Sequence, residues 1–226
     1  MTEQIGAALR LLYPDGRAIT PDSATDDFSL KSLCEDNVYS LTLTPRRAGL
    51  ALAAVEYDIP LPHDLTDVPE ELYIYDDSAY TNDFTSVVPY VGNEARTVYN
   101  LAVFKNLRTR KVFLCGLLTA HRFLAMFNLH DGLVTLRFDL EERELHAGEA
   151  YLLERFMVAE GTDNENVLLE AYGDAVAACN GARPDKPLPV GWCPWSCYYG
   201  NVNEEKIRRA ADGQATYTRA GESNLI

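Results

Sequence analysis

The sequence predicts a mainly β protein: an antiparallel β-sandwich, then a single helix, then a strand–loop–helix unit. Three observations carry this reading. Residues 1 to about 160 break into short stretches of alternating apolar and polar residues, separated by turn signals. After Gly161 the apolar spacing changes once to a helical period. The stretch Pro187–Ile207 then holds both tryptophans, two of the five cysteines and two adjacent tyrosines, between a short apolar run and a fresh helix start.

Taken in order, Ala7 to Tyr13 is a first apolar run ended by Pro14-Asp15-Gly16, a turn signal. Val38 to Thr44 alternates, with Tyr39, Leu41 and Leu43 on one face. Leu50 to Ile59 places Val55, Tyr57 and Ile59 together, and Glu71 to Tyr75 is a short aromatic strand. Thr97 to Phe104 reads as one strand with Tyr99, Leu101 and Val103 on a common face. Lys111 to Phe123 is apolar enough to be buried on both faces. Gly132 to Glu141 sets Val134, Leu136, Phe138 and Leu140 inward against Thr135, Arg137, Asp139 and Glu141 outward. Ala150 to Val158 follows a turn at Gly148.

The helix is expected at about 163–180. Thr162-Asp163-Asn164-Glu165 has the spacing of a capping box, in which the Thr162 hydroxyl accepts from the Glu165 N–H. Val167, Leu168, Ala171, Tyr172, Ala175, Val176 and Cys179 form its stripe. Gly181 suits the left-handed residue that closes a helix, and Pro184 prevents resumption. Leu188 to Cys193 then reads as a buried strand. Asn203 is the expected cap of a last helix, with Glu204 and Glu205 beside its free N–H groups. Strand, aromatic loop and helix together make the opening βα unit of an α/β domain, whose ligand-facing loop follows the strand.

Composition excludes several classes of function. A net charge of −14 repels phosphate backbones and anionic lipid, so neither nucleic acid nor a membrane is an expected partner. The longest apolar run, Val112 to Leu118, is far too short to span a bilayer, and Met1-Thr2-Glu3-Gln4 opens no signal peptide. Cys34, Cys115, Cys179, Cys193 and Cys197 are odd in number and irregular in spacing. They read as reduced thiols of a cytoplasmic protein, with Cys34 and Cys115 buried. No metal and no cofactor is expected: Cys193 and Cys197 have no histidine nearby, and the four histidines are scattered. The acidic pairs Asp26-Asp27, Asp76-Asp77 and Glu141-Glu142 fall in turns or at strand ends, where solvated carboxylates are the rule. None is assigned a catalytic role.

One stretch resembles a known family. Gly191-Trp192-Cys193-Pro194-Trp195, Tyr198-Tyr199-Gly200 and Asn203-Glu204-Glu205-Lys206-Ile207 are similar to the segment Gly-Trp-Cys-Ser-Trp, Tyr-Tyr-Gly, Thr-Glu-Glu-x-Ile of melibiase-type α-galactosidases and raffinose synthases. Pro194 stands where that family has Ser, and Ser196 where it has Tyr. The resemblance implies residues 1–160 as an N-terminal β-sandwich, 161–186 as a linker helix and proline-rich connection, and 187–226 as the start of a catalytic (β/α)8 barrel. A full barrel takes roughly 250 residues, so the barrel is incomplete here. It further implies a retaining glycoside hydrolase acting on α-galactosides, with a pair of carboxyl groups roughly 5–5.5 Å apart on strands beyond Ile226. By the same resemblance Trp195 is the substrate-binding residue, since its counterpart lines the subsite for the terminal galactose. An indole covers the C–H face of a sugar while its N–H meets a hydroxyl. Trp192, inside the strand, reads as structural, and Tyr198 and Tyr199 as rim or core residues, core being the favoured reading.

Two readings compete with this one: a stand-alone sandwich that binds carbohydrate without cleaving it, and a purely structural domain. The nucleotide sequence downstream of Ile226 separates the enzyme reading from these two: an open frame with Asp-rich strand ends favours the enzyme, a stop codon the other two.

Overall fold

The computed structural model describes residues 9–20, 27–76, 86–90, 95–183, 185 and 193–217. The first 182 residues form one compact unit and the remainder a second. In chain order the strands are β1 (Leu9–Leu12), β2 (Ala18–Ile19), β3 (Phe28–Glu35), β4 (Val38–Pro45), β5 (Leu50–Ala51), β6 (Ala54–Pro60), β7 (Leu72–Asp76) and β8 (Ser86–Pro89). There follow β9 (Arg96–Val98), β10 (Leu101–Asn106), β11 (Lys111–Leu117), β12 (Leu124–His130), β13 (Leu133–Asp139), β14 (Glu144–Leu145), β15 (Tyr151–Leu152) and β16 (Phe156–Thr162). The helices are α1 (His63–Thr66), α2 (Glu165–Asn180), α3 (Trp195–Tyr198) and α4 (Glu204–Tyr217).

Every strand pair among the described residues is antiparallel. One sheet has six strands in the order β2-β1-β6-β13-β12-β9. The other has eight, running β15-β4-β16-β11-β10-β7-β8 with β3 on β4. Tight turns set the registers. Asp36 and Asn37 both take positive φ between β3 and β4, as do Asp131 and Gly132 between β12 and β13. Such turns match the twist of paired strands, and Asn, Asp and Gly tolerate them best.

The inner faces meet in one core. Val55, Phe127, Leu136 and Phe138 come from the six-stranded sheet; Leu43, Ile74, Phe104, Phe113 and Phe156 come from the eight-stranded one. Phe156 packs against Phe138 at 6.3 Å and Tyr57 at 5.7 Å, joining the two layers. The alternation read from Gly132 to Glu141 holds: Val134, Leu136, Phe138 and Leu140 are all buried. Burial on both faces holds for β11 but not for the whole run to Phe123, since Ala120, His121 and Arg122 are exposed beyond the strand's end at Leu117. Phe113, Cys115 and Leu117 face the sandwich core, while Val112, Leu114 and the following Leu118 belong to a second core on the sheet's outer face. Leu168 and Tyr172 of α2 close that second core.

Several expectations are corrected. Thr97 to Phe104 is two strands, because the chain leaves one sheet at Val98 and enters the other at Leu101. Leu50–Ile59 and Ala150–Val158 are each interrupted as well. Asn164, not Thr162, caps α2: its side chain accepts from the Asn166 N–H at 3.1 Å, while Thr162 is still the last residue of β16. Glu165 therefore does not close a capping box and turns to Lys105 instead. Gly181 ends the helix at φ 60° and ψ 40°, as expected. The buried stripe is rotated from the expected one, since Val167 is 60% exposed while Leu169 packs inward. Cys34 is exposed on β3, not buried.

Candidate functional site

The aromatic loop is built outward from α4. The Asn203 side chain accepts from the Lys206 N–H at 3.0 Å, and Glu204 and Glu205 occupy the first turn, as the sequence predicts. Lys206 then reaches back over the loop. Its Nζ donates to the Asn201 carbonyl at 2.6 Å and lies 5.4 Å from the centre of the Tyr198 ring. The loop ahead of α4 is therefore tied at Tyr198 and Asn201 by one cation.

Between Pro194 and Tyr199 the chain makes one helical turn, not an open loop. The Cys197 and Tyr198 N–H groups donate to the Pro194 carbonyl, at 3.1 and 3.0 Å, and the Tyr199 N–H donates to Trp195. Tyr199 closes this turn with a positive φ (φ 46°, ψ −135°), in a sparsely populated region that costs a non-glycine residue about 1–3 kcal/mol. The strained residue projects its side chain beside Trp195. The two rings meet edge to face, 5.9 Å apart and inclined by 70°.

Trp195 is 60% exposed and Tyr199 62%, so Tyr199 does not take the favoured core reading. Together they form an open aromatic corner, one ring offering a face and the other an edge. Such a corner suits a ring-shaped ligand with one C–H face, and the indole N–H adds a hydrogen-bond donor. The strand expected over Leu188–Cys193 lies outside the described residues, except Cys193, and Trp192 lies outside them too. Cys193 and Cys197 are exposed free thiols. Among the described residues no cluster of three or more His, Cys, Asp or Glu side chains is placed to hold a metal, and no helix is long and apolar enough to cross a membrane.

The acidic turn residues sit in ordinary surroundings. Asp27 pairs with Arg47 at 2.7 Å, and that hydrogen bond holds its carboxyl below the usual value. Glu141 and Glu142 are exposed in the turn after β13; Asp26 and Asp77 lie outside the described residues. His63 pairs with Asp67, His130 with Asp131, and His121 with Asn180.

Two features were not read from the sequence. Glu154 is 3% exposed and accepts four hydrogen bonds: from Thr119 Oγ1 at 2.7 Å and from the N–H groups of His121, Arg122 and Phe123 at 2.7–3.0 Å. Burial pushes its pKa up, but these bonds outweigh burial and leave it below the ordinary value. A Glu-Arg pair, Glu154-Arg155, interrupting an apolar run was the available signal. The second feature is a groove beside α2, whose only trace in the sequence was the pair Tyr73 and Tyr75 on one face of a strand.

No family model and no curated protein matches this chain. Solved structures do. In fold, the chain resembles α-galactosidases. A GH36 α-galactosidase of Geobacillus stearothermophilus, in complex with 1-deoxygalactonojirimycin, aligns over 96% of this chain and 38% of its own, with a TM-score of 0.51 and 13% identity. An α-galactosidase of Lactobacillus brevis aligns over 91% of this chain and 36% of its own, with a TM-score of 0.45 and 11% identity. The chain thus spans little more than a third of the length of either. At such identity the likeness is one of fold.

Proposed function

We propose that these 226 residues are the N-terminal part of an α-galactosidase-like retaining glycoside hydrolase that acts on α-galactosides. In this reading residues 1–160 are the sandwich, 161–186 the connection, and 187–226 the first βα unit of the catalytic barrel. Trp195 stacks on the terminal galactose, with Tyr199 at its edge. The two catalytic carboxyl groups come from sequence beyond Ile226. The five free thiols fit a reducing compartment, and the reading places the protein in the cytoplasm.

One observation carries the proposal: a sandwich with the fold likeness just described and the Gly191–Ile207 segment occur in one chain, in that order. Charge is compatible with it, since a neutral sugar is indifferent to the surplus of 14 negative charges.

The test is enzymatic. The protein encoded by the frame that continues past Ile226 should release galactose from p-nitrophenyl α-galactoside. Proton NMR should show the α-anomer first, because a double displacement retains configuration. The 226-residue chain alone should show no turnover. Turnover by that pure chain would sink the fragment reading, and first release of the β-anomer would sink the retaining mechanism.

A further inference from the structure

The outer face of the eight-stranded sheet is apolar across β16, β11, β10 and β7, and α2 covers only part of it. Over β11 and β16 the cover is close: Leu168 and Tyr172 sit on Val112, Leu114, Met157 and Ala159. Beyond the helix, β10 and β7 continue the same face, and a groove of about 710 Å³ opens there. That volume lies within the roughly 300–1,000 Å³ of small-molecule sites. Tyr73 and Tyr75 of β7 and Leu101 and Val103 of β10 contribute from the sheet, and Leu169 contributes from the helix. Strand pairing sets Tyr75 opposite Val103 and Tyr73 opposite Lys105, so a cation interrupts the apolar lining between Val103 and Leu107.

The surroundings of Lys105 are polar and electrically balanced. Lys105 Nζ donates to the Glu165 carboxylate at 2.5 Å and to the Asp163 carbonyl at 3.2 Å, and Asn166 stands beside them. Among the described residues the ammonium keeps one further proton to donate, and the carboxylate keeps lone pairs to accept. An anion would meet Glu165 and the negative charge of the whole chain. A cation would find the carboxylate already neutralised by Lys105. A neutral ligand meets neither obstacle. Adjacent donor and acceptor groups suit neighbouring hydroxyls, and the tyrosine and aliphatic surface suits a flat or extended apolar body.

We propose that this groove binds a neutral glycoside, with its apolar aglycone along Tyr75, Val103 and Leu169 and its sugar hydroxyls on Lys105, Glu165 and Asn166. The site uses no residue of the aromatic loop and lies wholly in the first compact unit. It therefore stands or falls separately from the α-galactosidase reading.

The experiment titrates the ¹⁵N-labelled 226-residue chain with three probes: hexyl β-galactoside, 1-hexanol and free galactose. The β-linked probe is not a substrate for an α-galactosidase. Shifts should map to β7, β10 and the first turns of α2, and the hexyl glycoside should bind at least about tenfold tighter than either part alone, about 1.4 kcal/mol. Tyr75→Ala and Lys105→Met should each weaken it by about tenfold. Lys105→Met keeps the length and apolar stem of the side chain, so it remains informative if Tyr75→Ala fails to fold. Hexanol binding as tightly as the glycoside would reduce the groove to a plain apolar slot and overturn the proposal. So would shifts confined to residues 193–217, glycoside binding unchanged in Lys105→Met, or no shifts at all.

Discussion

Glu154 shows how one residue can hold a loop. A buried carboxylate is stable only when its lone pairs are met, and three successive backbone N–H groups and one hydroxyl meet them here. Glu154→Gln keeps the shape but points an amide NH₂ at some of those donors. It should cost about 2 kcal/mol at pH 7, measured by urea unfolding. Because the folded pKa is depressed, the carboxylate's stabilisation is present above the unfolded value of roughly 4.3. It is lost as pH falls through the folded value. The gap between wild type and Glu154→Gln should therefore narrow below about pH 4; a gap that stays constant with pH would show that the charge contributes nothing. Trp195 belongs to the same scale. If the proposed function is right, Trp195→Ala in the protein encoded by the continuing frame should lower kcat/KM by about tenfold or more with an unchanged Tm. An early melt with normal kcat/KM would make Trp195 a packing residue.

At the scale of elements, α2 depends on two glycines beneath it. A Cβ on Gly116 would lie 2.5 Å from the Tyr172 ring, and one on Gly161 would lie 3.3 Å from Leu168. Tyr172 cannot swing aside freely, because its hydroxyl donates to the Leu117 carbonyl at 2.6 Å. Gly116→Ala should therefore destabilise by about 1–3 kcal/mol, whereas Gly173→Ala, in open space on the helix's other side, should be neutral or slightly stabilising. The helix's start gives a second comparison by thermal denaturation. Asn164→Ala should cost about 1 kcal/mol through the lost cap, and Thr162→Ala much less. Equal losses at the two positions would restore Thr162 as the cap.

Across the whole sandwich the two outer faces differ in kind. That of the six-stranded sheet carries a charge ladder: Arg10 pairs with Glu56 and Asp58, Arg137 with Glu56, and Thr135 donates to Asp58. It is suited to water as it stands. The outer face of the eight-stranded sheet is apolar and needs α2. A chain ending at Ala182 should thus melt cooperatively and run as a monomer on size exclusion. A chain ending at Asp163 exposes Val112, Leu114, Met157 and Ala159 and should aggregate or lose several kcal/mol, by the ~25 cal/mol per Å² of apolar surface left uncovered. A monomeric, equally stable product from the shorter chain would mean that α2 adds nothing to the sandwich.

The sequence by itself determined the class of the fold and most of its inward faces. Side-chain polarity is a local property: alternation at Gly132–Glu141 and the continuous apolar run of β11 both survived into the folded state because each face of a strand is assigned residue by residue. The closing Gly181 and the cap Asn203 were legible for the same reason: each acts within a few residues of itself. What only the tertiary structure decided was pairing over long separations. Nothing local distinguishes one strand from two at Thr97–Phe104, since the break at Tyr99 and Asn100 arises from which sheet each half joins. The cap moved from Thr162 to Asn164 because β11 pairs with β16 as far as Thr162, and Lys105, sixty residues away, drew Glu165 aside. The groove beside α2 exists because β7, β10 and the helix, distant in sequence, converge on one face. At the aromatic loop the residue types were readable, but the exposure of Trp195 and Tyr199 followed from a helical turn and a positive φ at Tyr199, which no spacing of residues announces.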